Sequence, residues 1–240
     1  MKRVWIDAGH GGKDPGAVAN GLKEKDIVLA VSLAIKAKLE AEYEGVQALL
    51  SRSTDVFLEL KDRTIAANKA GADLLVSIHC NAGGGAGGFE TFRYTSASVA
   101  SRALQNVLHT EIMAALKPYG ITDRGQKSDN LHMCRESKMP AVLTENLFLD
   151  VTADVINLKR PVVIDAIVAG HVSGIAKYLG LTKREPSDVS DKVNVVVNGK
   201  KVEDGRLIDG VTMVPLRAIG EALGAKVDWD NKTRTATVTK

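Results

Sequence analysis

At 240 residues the chain is long enough for one sizeable core and a small appendage, and 45% hydrophobic with 25% charged residues is the composition of a globular protein. A net charge of +3 is too small to argue for a nucleic-acid partner, though it suits a target bearing anionic polymer. The two cysteines, Cys80 and Cys134, make no disulfide framework, and no apolar run reaches the ~20 residues of a membrane span. Met1-Lys2-Arg3 leads into a strand-like run without the apolar segment of a signal peptide, so synthesis in the cytoplasm is expected.

Residues 4–16, VWIDAGHGGKDPG, read as a short buried strand over 4–6 that runs into a glycine-rich loop carrying Asp7, His10 and Asp14 and closed by Pro15-Gly16. Residues 26–43 follow as a helix with Ile27, Ala30, Val31, Ala34, Ile35 and Leu39 on one face, and Glu24 at its N-terminal end. A strand over 47–51 and a helix over 60–70, ended by Gly71, come next. Arg52 and Arg63 around them can brace loops or touch a substrate. The apolar run 74–78 closes on His79, with Cys80 expected on the opposite sheet face because strand side chains alternate. Residues 81–88, NAGGGAGG, are too glycine-rich to hold a fixed shape unaided. Residues 89–94 alternate as a strand, in which Glu90 is expected to pair with a neighbouring arginine.

The apolar period from Val99 to Leu116 predicts a long amphipathic helix stopped by Pro118, with His109 a surface or capping residue on it. Residues 120–136 read as a polar loop containing Arg124 and Lys127, with His132 ahead of a strand-like Met133-Cys134 and no partner motif to make it a ligand. PAVLTEN is a strand that ends on Glu145. Pro161 opens a last helix to Leu179 that carries a structural His171 and stops at Gly180. Residues 181–192 lose the apolar period and read as a linker. Beyond it, strands over 193–197 and 211–214, turns at Asn198-Gly199 and Asp209-Gly210, a helix from Pro215 to Gly224 and a hairpin about Asp230-Asn231 make a small α+β module without histidine.

In an open α/β sheet the ligand site lies beyond the carboxyl ends of strands, and His10 and His79 both follow strand-like runs. Two histidines and a carboxylate, here His10, His79 and Glu24, with one position left for water, are the ligand set of a catalytic zinc site. Glu145, also ending a strand, is a candidate base. The blander reading stays open on spacing alone: His10 as a solvated loop residue, and Glu24 as a carboxylate that complements the helix dipole.

The segments IDAGHGGKDPGA, LKEKDIVLAVSLAIKAKL, LSRSTDVFLELKDRTIAANKAGADLLVSIHCNA, GGFETF and MPAVLTENLFL, in this order, resemble the zinc-dependent N-acetylmuramoyl-L-alanine amidases of the type 3 family over residues 2–179. The resemblance implies Zn2+ on His10, Glu24 and His79 and a catalytic Glu145. It also implies a loop bordering a substrate groove, where Arg124, Lys127 and Asn81 become candidates for binding the stem peptide of peptidoglycan, with a merely solvated basic loop as the alternative for Arg124 and Lys127. The chain departs from the family where many members read Glu-x-Gly-Phe and it has Glu145-Asn146-Leu147-Phe148, and at Cys80 and Asp150.

The implied fold is α/β, an open mixed and mostly parallel sheet flanked by helices over residues 1–180, followed by the linker and the small module over 193–240. The implied reaction is cleavage of the amide between N-acetylmuramic acid and L-alanine. A zinc peptidase acting on the stem peptide and a non-catalytic wall-binding protein are the alternatives. A substrate outside the membrane and a cytoplasmic origin together suit release by lysis, as with phage endolysins or mother-cell amidases. VNGKKV and MVPLRAIGEALGAKVDWD resemble the copper amine oxidase N-terminal-like, or stalk, domain, which implies wall binding or a homodimer and, lacking histidine, no copper site.

Overall fold

The computed structural model describes residues 1–184, 192–208 and 211–240. The chain divides into two compact units, Met1–Arg184 and Glu185–Lys240. The first is built from β1 (Lys2–Ala8), a two-rung hairpin β2 (Val18–Ala19) and β3 (Leu22–Lys23), α1 (Glu24–Glu42), β4 (Val46–Leu50), α2 (Leu60–Ala70), β5 (Leu74–Asn81), β6 (Phe89–Tyr94), α3 (Val99–Leu116), β7 (Asp123–Asp129), α4 (His132–Arg135), β8 (Ala141–Phe148), α5 (Thr152–Leu158) and α6 (Pro161–Leu179). Its six-stranded sheet has the order β4-β1-β5-β8-β6-β7. Strands β4, β1, β5 and β8 run parallel, and β6 pairs antiparallel with β8 and parallel with β7. The expected fold class is the observed one.

The period of two along each strand divides the core. Val4 and Ile6 of β1 and Leu74, Val76 and Ile78 of β5 face the large cluster made with α1, α3 and α6, while Trp5 and Leu75 face a smaller one with Ala67 of α2 and Met133 of α4. Cys80 joins the large cluster, on the face opposite His79, and both cysteines are free and buried. Helix α6 has the length and apolarity of a membrane-crossing helix. Its apolar residues are spent on the core instead: Val163, Ile167, Val172 and Ile175 are buried, and a Cβ at Gly170 would meet Cα of Ile112 at 2.6 Å, so α6 and α3 touch backbone to backbone.

On the smaller-cluster face the strands turn polar towards the carboxyl ends of β1 and β5, where Asp7, Ser77 and His79 continue the rows of Trp5 and Leu75. Because β6 and β7 run the other way, their amino ends, with Glu90 and Arg124, meet the carboxyl ends of β1, β5 and β8 at this one edge.

Three expectations need correction. Residues 123–129, read as loop, form β7, an edge strand whose polar sequence fits pairing on one side only. Met133-Cys134, read as strand-like, lies in the one-turn helix α4, where both side chains are buried. His109 is buried, not at the surface: Thr91 Oγ1 donates to its Nδ1 at 3.1 Å and its Nε2 donates to Asp123 Oδ1 at 2.9 Å, which ties α3 to both outer strands.

The first unit extends past Gly180, since Glu44 N donates to Thr182 O at 3.0 Å and Arg184 N donates to Glu42 O at 2.7 Å. The rest of the expected linker, residues 185–191, and the expected turn at Asp209-Gly210 lie outside the described residues. The second unit holds β9 (Lys192–Val193), β10 (Val196–Val197), β11 (Lys200–Lys201), β12 (Gly205–Ile208), β13 (Val211–Met213), α7 (Leu216–Ala222), β14 (Lys226–Asp230) and β15 (Thr235–Thr239), so the expected strand over 193–197 is split in two. Among its described residues only Val195 and Val227 are buried large apolar side chains, whereas Leu207, Ile208, Val211, Met213, Leu216 and Trp229 are exposed.

Candidate active site

The loop after β1 is pinned from below by two buried arginines. Arg52 donates from Nε to Ala8 O and from Nη2 to Gly9 O, and Arg63 donates to Ala8 O and to His10 O. Arg63 is itself held by Asp7 at 3.0 Å, and Ser77 Oγ donates to the other Asp7 oxygen at 2.6 Å. Burial would raise the Asp7 carboxyl, but the Arg63 charge and the Ser77 bond outweigh it and hold it below its usual range. Both arginines brace the loop, and Arg63 also lines the cavity beside His10 and His79. With its carbonyl fixed, His10 is held in the left-handed region at φ 58°, a conformation that is uncommon for a residue with a side chain and that aims the imidazole inward.

The ring of His10 donates from Nδ1 to Asp14 Oδ2 at 2.9 Å, and its Nε2 lies 3.0 Å from Glu24 Oε1. Glu24 is the first residue of α1 and is buried; Cys80 N donates to the same Oε1 at 3.0 Å, and Ala17 N donates to Oε2 at 2.9 Å. His79, near the end of β5, brings Nδ1 to 2.9 Å from that same Oε1 and to 3.2 Å from His10 Nε2. Three donor atoms, one from each residue, thus lie within 4.8 Å of one another. The surroundings leave room for these side chains and little else. A Cβ at Gly9 would collide with the His79 ring, and one at Gly16 would come within 2.5 Å of Glu24 Oε2 and 2.7 Å of the His10 ring. Two imidazoles and a carboxylate, converging in a cradle that only glycine permits, fit a divalent metal ion of zinc type.

The charges agree with that geometry. Burial alone would depress the His10 imidazole, but the bonds to Glu24 and Asp14 push it up to about 9. His79 is likewise raised against burial by Glu24, and Glu24 is held well below the carboxylate range by both rings. The cluster therefore concentrates negative charge that a cation, whether proton or metal, satisfies.

Glu145 on β8 stands in register with His79 on β5, and its buried Oε2 has no hydrogen-bond partner among the described residues. Burial pushes its carboxyl up to about 7, with the His79 charge opposing. Next to it, Asn146 Nδ2 donates to His79 O at 2.9 Å and to Thr144 Oγ1 at 3.1 Å, and Thr144 Oγ1 donates to His171 Nε2 at 3.0 Å. Burial pushes His171 down to about 4, so a neutral structural ring anchors this line of bonds, as expected of it.

The other candidates gather on Glu90, which is buried opposite Glu145 across β6 and β8. Its Oε1 accepts from Asn81 Nδ2 at 2.8 Å, and its Oε2 accepts from Arg124 Nε at 2.8 Å and from Lys127 Nζ. The expected arginine partner is Arg124, whose guanidinium also lies 4.5 Å from the centre of the Phe148 ring. Sequence reasoning missed what holds the glycine run: Asp150 Oδ2 accepts from Gly83 N and Gly84 N, each at 2.8 Å, and Asp154 Oδ2 accepts from Gly88 N at 2.7 Å. It placed Asp14 in the same loop as His10 but missed the bond between them.

Residues 4–177 match the N-acetylmuramoyl-L-alanine amidase family. The chain belongs to that family. The endolysin of Bacillus phage SPP1 is 49% identical to it over 83% of this chain and 74% of the phage protein. A sporulation-specific N-acetylmuramoyl-L-alanine amidase of Bacillus subtilis is 44% identical over 78% of this chain and 72% of its own. The solved catalytic domain of CwlV, an N-acetylmuramoyl-L-alanine amidase of Bacillus (Paenibacillus) polymyxa var. colistinus, superposes with a TM-score of 0.71 at 38% identity, covering 76% of this chain and 100% of that domain. Residues 195–240 of the amidase match the copper amine oxidase N-terminal domain. The six-stranded sheet and its edge cluster are thus the amidase part of the chain, and the second unit is an addition to it.

Proposed function

We propose that this amidase hydrolyses the amide between the lactyl group of N-acetylmuramic acid and L-alanine of peptidoglycan, with zinc held by His10, Glu24 and His79 and with Glu145 as the general base. The observation that supports it most is the approach of His10 Nε2 and His79 Nδ1 to one oxygen of Glu24, beside a buried Glu145 oxygen without a hydrogen-bond partner among the described residues. When bound, zinc supplies Lewis acidity and lowers the pKa of water towards about 7.

Glu145 does the proton work. Its Oε2 takes the proton from the attacking water and returns it to the departing nitrogen, so that a carbon–oxygen bond replaces the carbon–nitrogen bond and the products are a lactyl carboxylate and a free L-alanine amine. A carboxyl near 7 is matched to that exchange at neutral pH. Asp14 keeps the His10 proton on Nδ1 and so leaves Nε2 free to ligate. Arg124 and Lys127, oriented by Glu90, and Asn81 beside them, are assigned to the stem peptide, whose carboxylates suit charge-assisted bonds.

Digestion of purified sacculi tests the reading. The expected products are muramoyl chains carrying free lactyl groups and intact stem peptides with a new L-alanine amine, read by mass spectrometry. New termini inside the peptide would make the chain a stem-peptide peptidase, and wall binding without release would make it a binding protein. The second unit is assigned to retention on the wall or to pairing with a second copy, which its exposed Leu207, Ile208, Met213 and Trp229 favour. Release by lysis, as for an endolysin, is the route by which the enzyme would reach its substrate.

A further inference from the structure

A cavity of about 350 Å³ adjoins the ligand cluster on the side away from Arg124 and Lys127. Its far wall is Phe57, Leu58, Glu59 and Leu60, and its near wall includes His10 and His79. The mechanism above leaves this space unused. The order of strands explains why it lies where it does. His79, Glu145 and Glu90 are register partners on β5, β8 and β6, so they stand in a row on one face, about 4.8 Å apart per strand. Arg124 and Lys127 on β7 end the row on one side, and the segment between β4 and α2 ends it on the other. A substrate whose scissile amide lies at the middle of that row has one end in each place.

The two ends differ in chemistry. On the β7 side two cations share one buried carboxylate, which leaves a net positive charge at the rim. On the α2 side the surface is mainly apolar and its charges are mixed: the Phe57 ring and a half-exposed Leu60 stand with Glu59 and the Lys13 ammonium, and Asp14 and the Asp7–Arg63 pair also line the cavity. The two halves of a muramoyl peptide differ in the same sense. Its peptide carries free carboxylates. Its sugar carries none, because the lactyl carboxyl is tied up in the amide, and it offers C–H faces, an acetamido methyl and hydroxyls, which suit an aromatic platform with a few polar groups at its edge.

The platform is also pre-organised. Asp55 accepts from Gly12 N at 2.7 Å and from Lys25 Nζ at 2.6 Å, which clamps the segment before Phe57 onto the metal-ligand loop. A Cβ at Gly12 would meet Phe57 N at 2.7 Å, so the two loops are in close contact, and the Lys13 ammonium sits 4.3 Å from the centre of the Phe57 ring.

We propose that the cavity beside Phe57 is the subsite for the N-acetylmuramoyl sugar, so that the glycan lies on the α2 side of the site and the stem peptide on the Arg124–Lys127 side. The inference rests on the amidase reading. Its test is the ratio of kcat/KM for two soluble substrates, a muramoyl peptide and the N-lactoyl peptide that lacks the sugar. The wild-type enzyme prefers the muramoyl peptide, and Phe57→Ala lowers that preference about tenfold, a typical loss for truncation in an apolar pocket. Phe57→Tyr, which keeps the platform, restores it, and Leu60→Ala, at a half-exposed position that tolerates truncation, lowers it too. Arg124→Ala weakens both substrates together and leaves the ratio unchanged. A ratio untouched in both Phe57→Ala and Leu60→Ala, or one that collapses only in Arg124→Ala, overturns the assignment. Failure of the wild-type enzyme to release any peptide with a free L-alanine amine is a different result, and it counts against the amidase reading itself.

Discussion

Glu145 and Glu90 face each other across the antiparallel pair of β8 and β6, one with a buried oxygen that has no partner among the described residues and the other bound by Arg124, Lys127 and Asn81. The charge on Glu90 adds to the burial that pushes Glu145 up to about 7. In Glu90→Gln that charge is gone, and Arg124 and Lys127 are no longer neutralised, so both changes favour the ionised form of Glu145. A base acts when deprotonated. The acid limb of kcat/KM should therefore move to lower pH in Glu90→Gln, as read from a pH–rate profile. A limb that stays in place or moves up would show that Glu145 is not the group titrating there.

Removal of single ligands separates binding from chemistry. His10→Ala and His79→Ala should lose metal and activity together, because two remaining donors do not retain zinc. Glu145→Gln should keep its metal and lose about 10²–10⁴ in turnover. Elemental analysis beside turnover decides both. Full zinc content in either histidine variant, or near-normal turnover in Glu145→Gln, would send the corresponding role elsewhere. Chelation should abolish the wild-type activity, and added Zn2+ should restore it.

Strand ends, glycines and apolar periods made His10, Glu24 and His79 candidates, but on those local signals a solvated His10 and a dipole-complementing Glu24 stayed open, and it was the resemblance to the type 3 family that joined the three into one set. What braces them was not. Arg52 and Arg63 reach carbonyls more than forty positions away in the chain, and no spacing announces such bonds. Strand β7 lacked an apolar pattern because it buries neither face well, and its polarity passed for a loop. His109 looked exposed on α3 because its partners, Thr91 and Asp123, belong to strands that the helix only meets in the fold. The arrangement at Leu147 was half legible: a departure from a family glycine could be seen, but not that Leu147 takes a left-handed backbone conformation.

Leu147 has φ 71° while its side chain is fully buried. It follows Glu145 where the β5–β8 register shifts, so the twist that places the base is stored there. A left-handed residue with a Cβ carries a penalty of roughly 1–2 kcal/mol, which glycine escapes. Leu147→Ala should lose about 2–5 kcal/mol through the cavity and keep the penalty, whereas Leu147→Gly loses slightly more packing but sheds it. The gap between the glycine and alanine variants should then be about 1–2 kcal/mol smaller at 147 than at Leu143 of the same strand. Denaturant melts of the four variants measure it, and equal gaps at the two positions would mean that Leu147 is not strained.

The second unit bears on where the enzyme works. The proposed metal donors and the proposed base all lie before Arg184, and Thr182 and Arg184 still bond to the end of α1 and the turn after it. A cut after Arg184 therefore leaves the first unit whole, whereas a cut after Gly180 removes those bonds and should lower its melting temperature. Residues 1–184 alone should cleave a soluble muramoyl peptide with unchanged kcat/KM. On insoluble wall they should be slower, because a weak binder linked to an enzyme raises the local concentration of substrate without altering the chemistry. Turbidity loss of sacculi measures the second quantity. Light scattering of the full chain beside the truncated one then separates the two ways of covering the exposed apolar residues: a doubled mass identifies pairing with a second copy, and a single mass with reduced sedimentation on wall identifies retention. Equal loss on soluble and insoluble substrate would mean that the second unit supports the catalytic fold, and its assignment as a separate targeting or pairing module would fall.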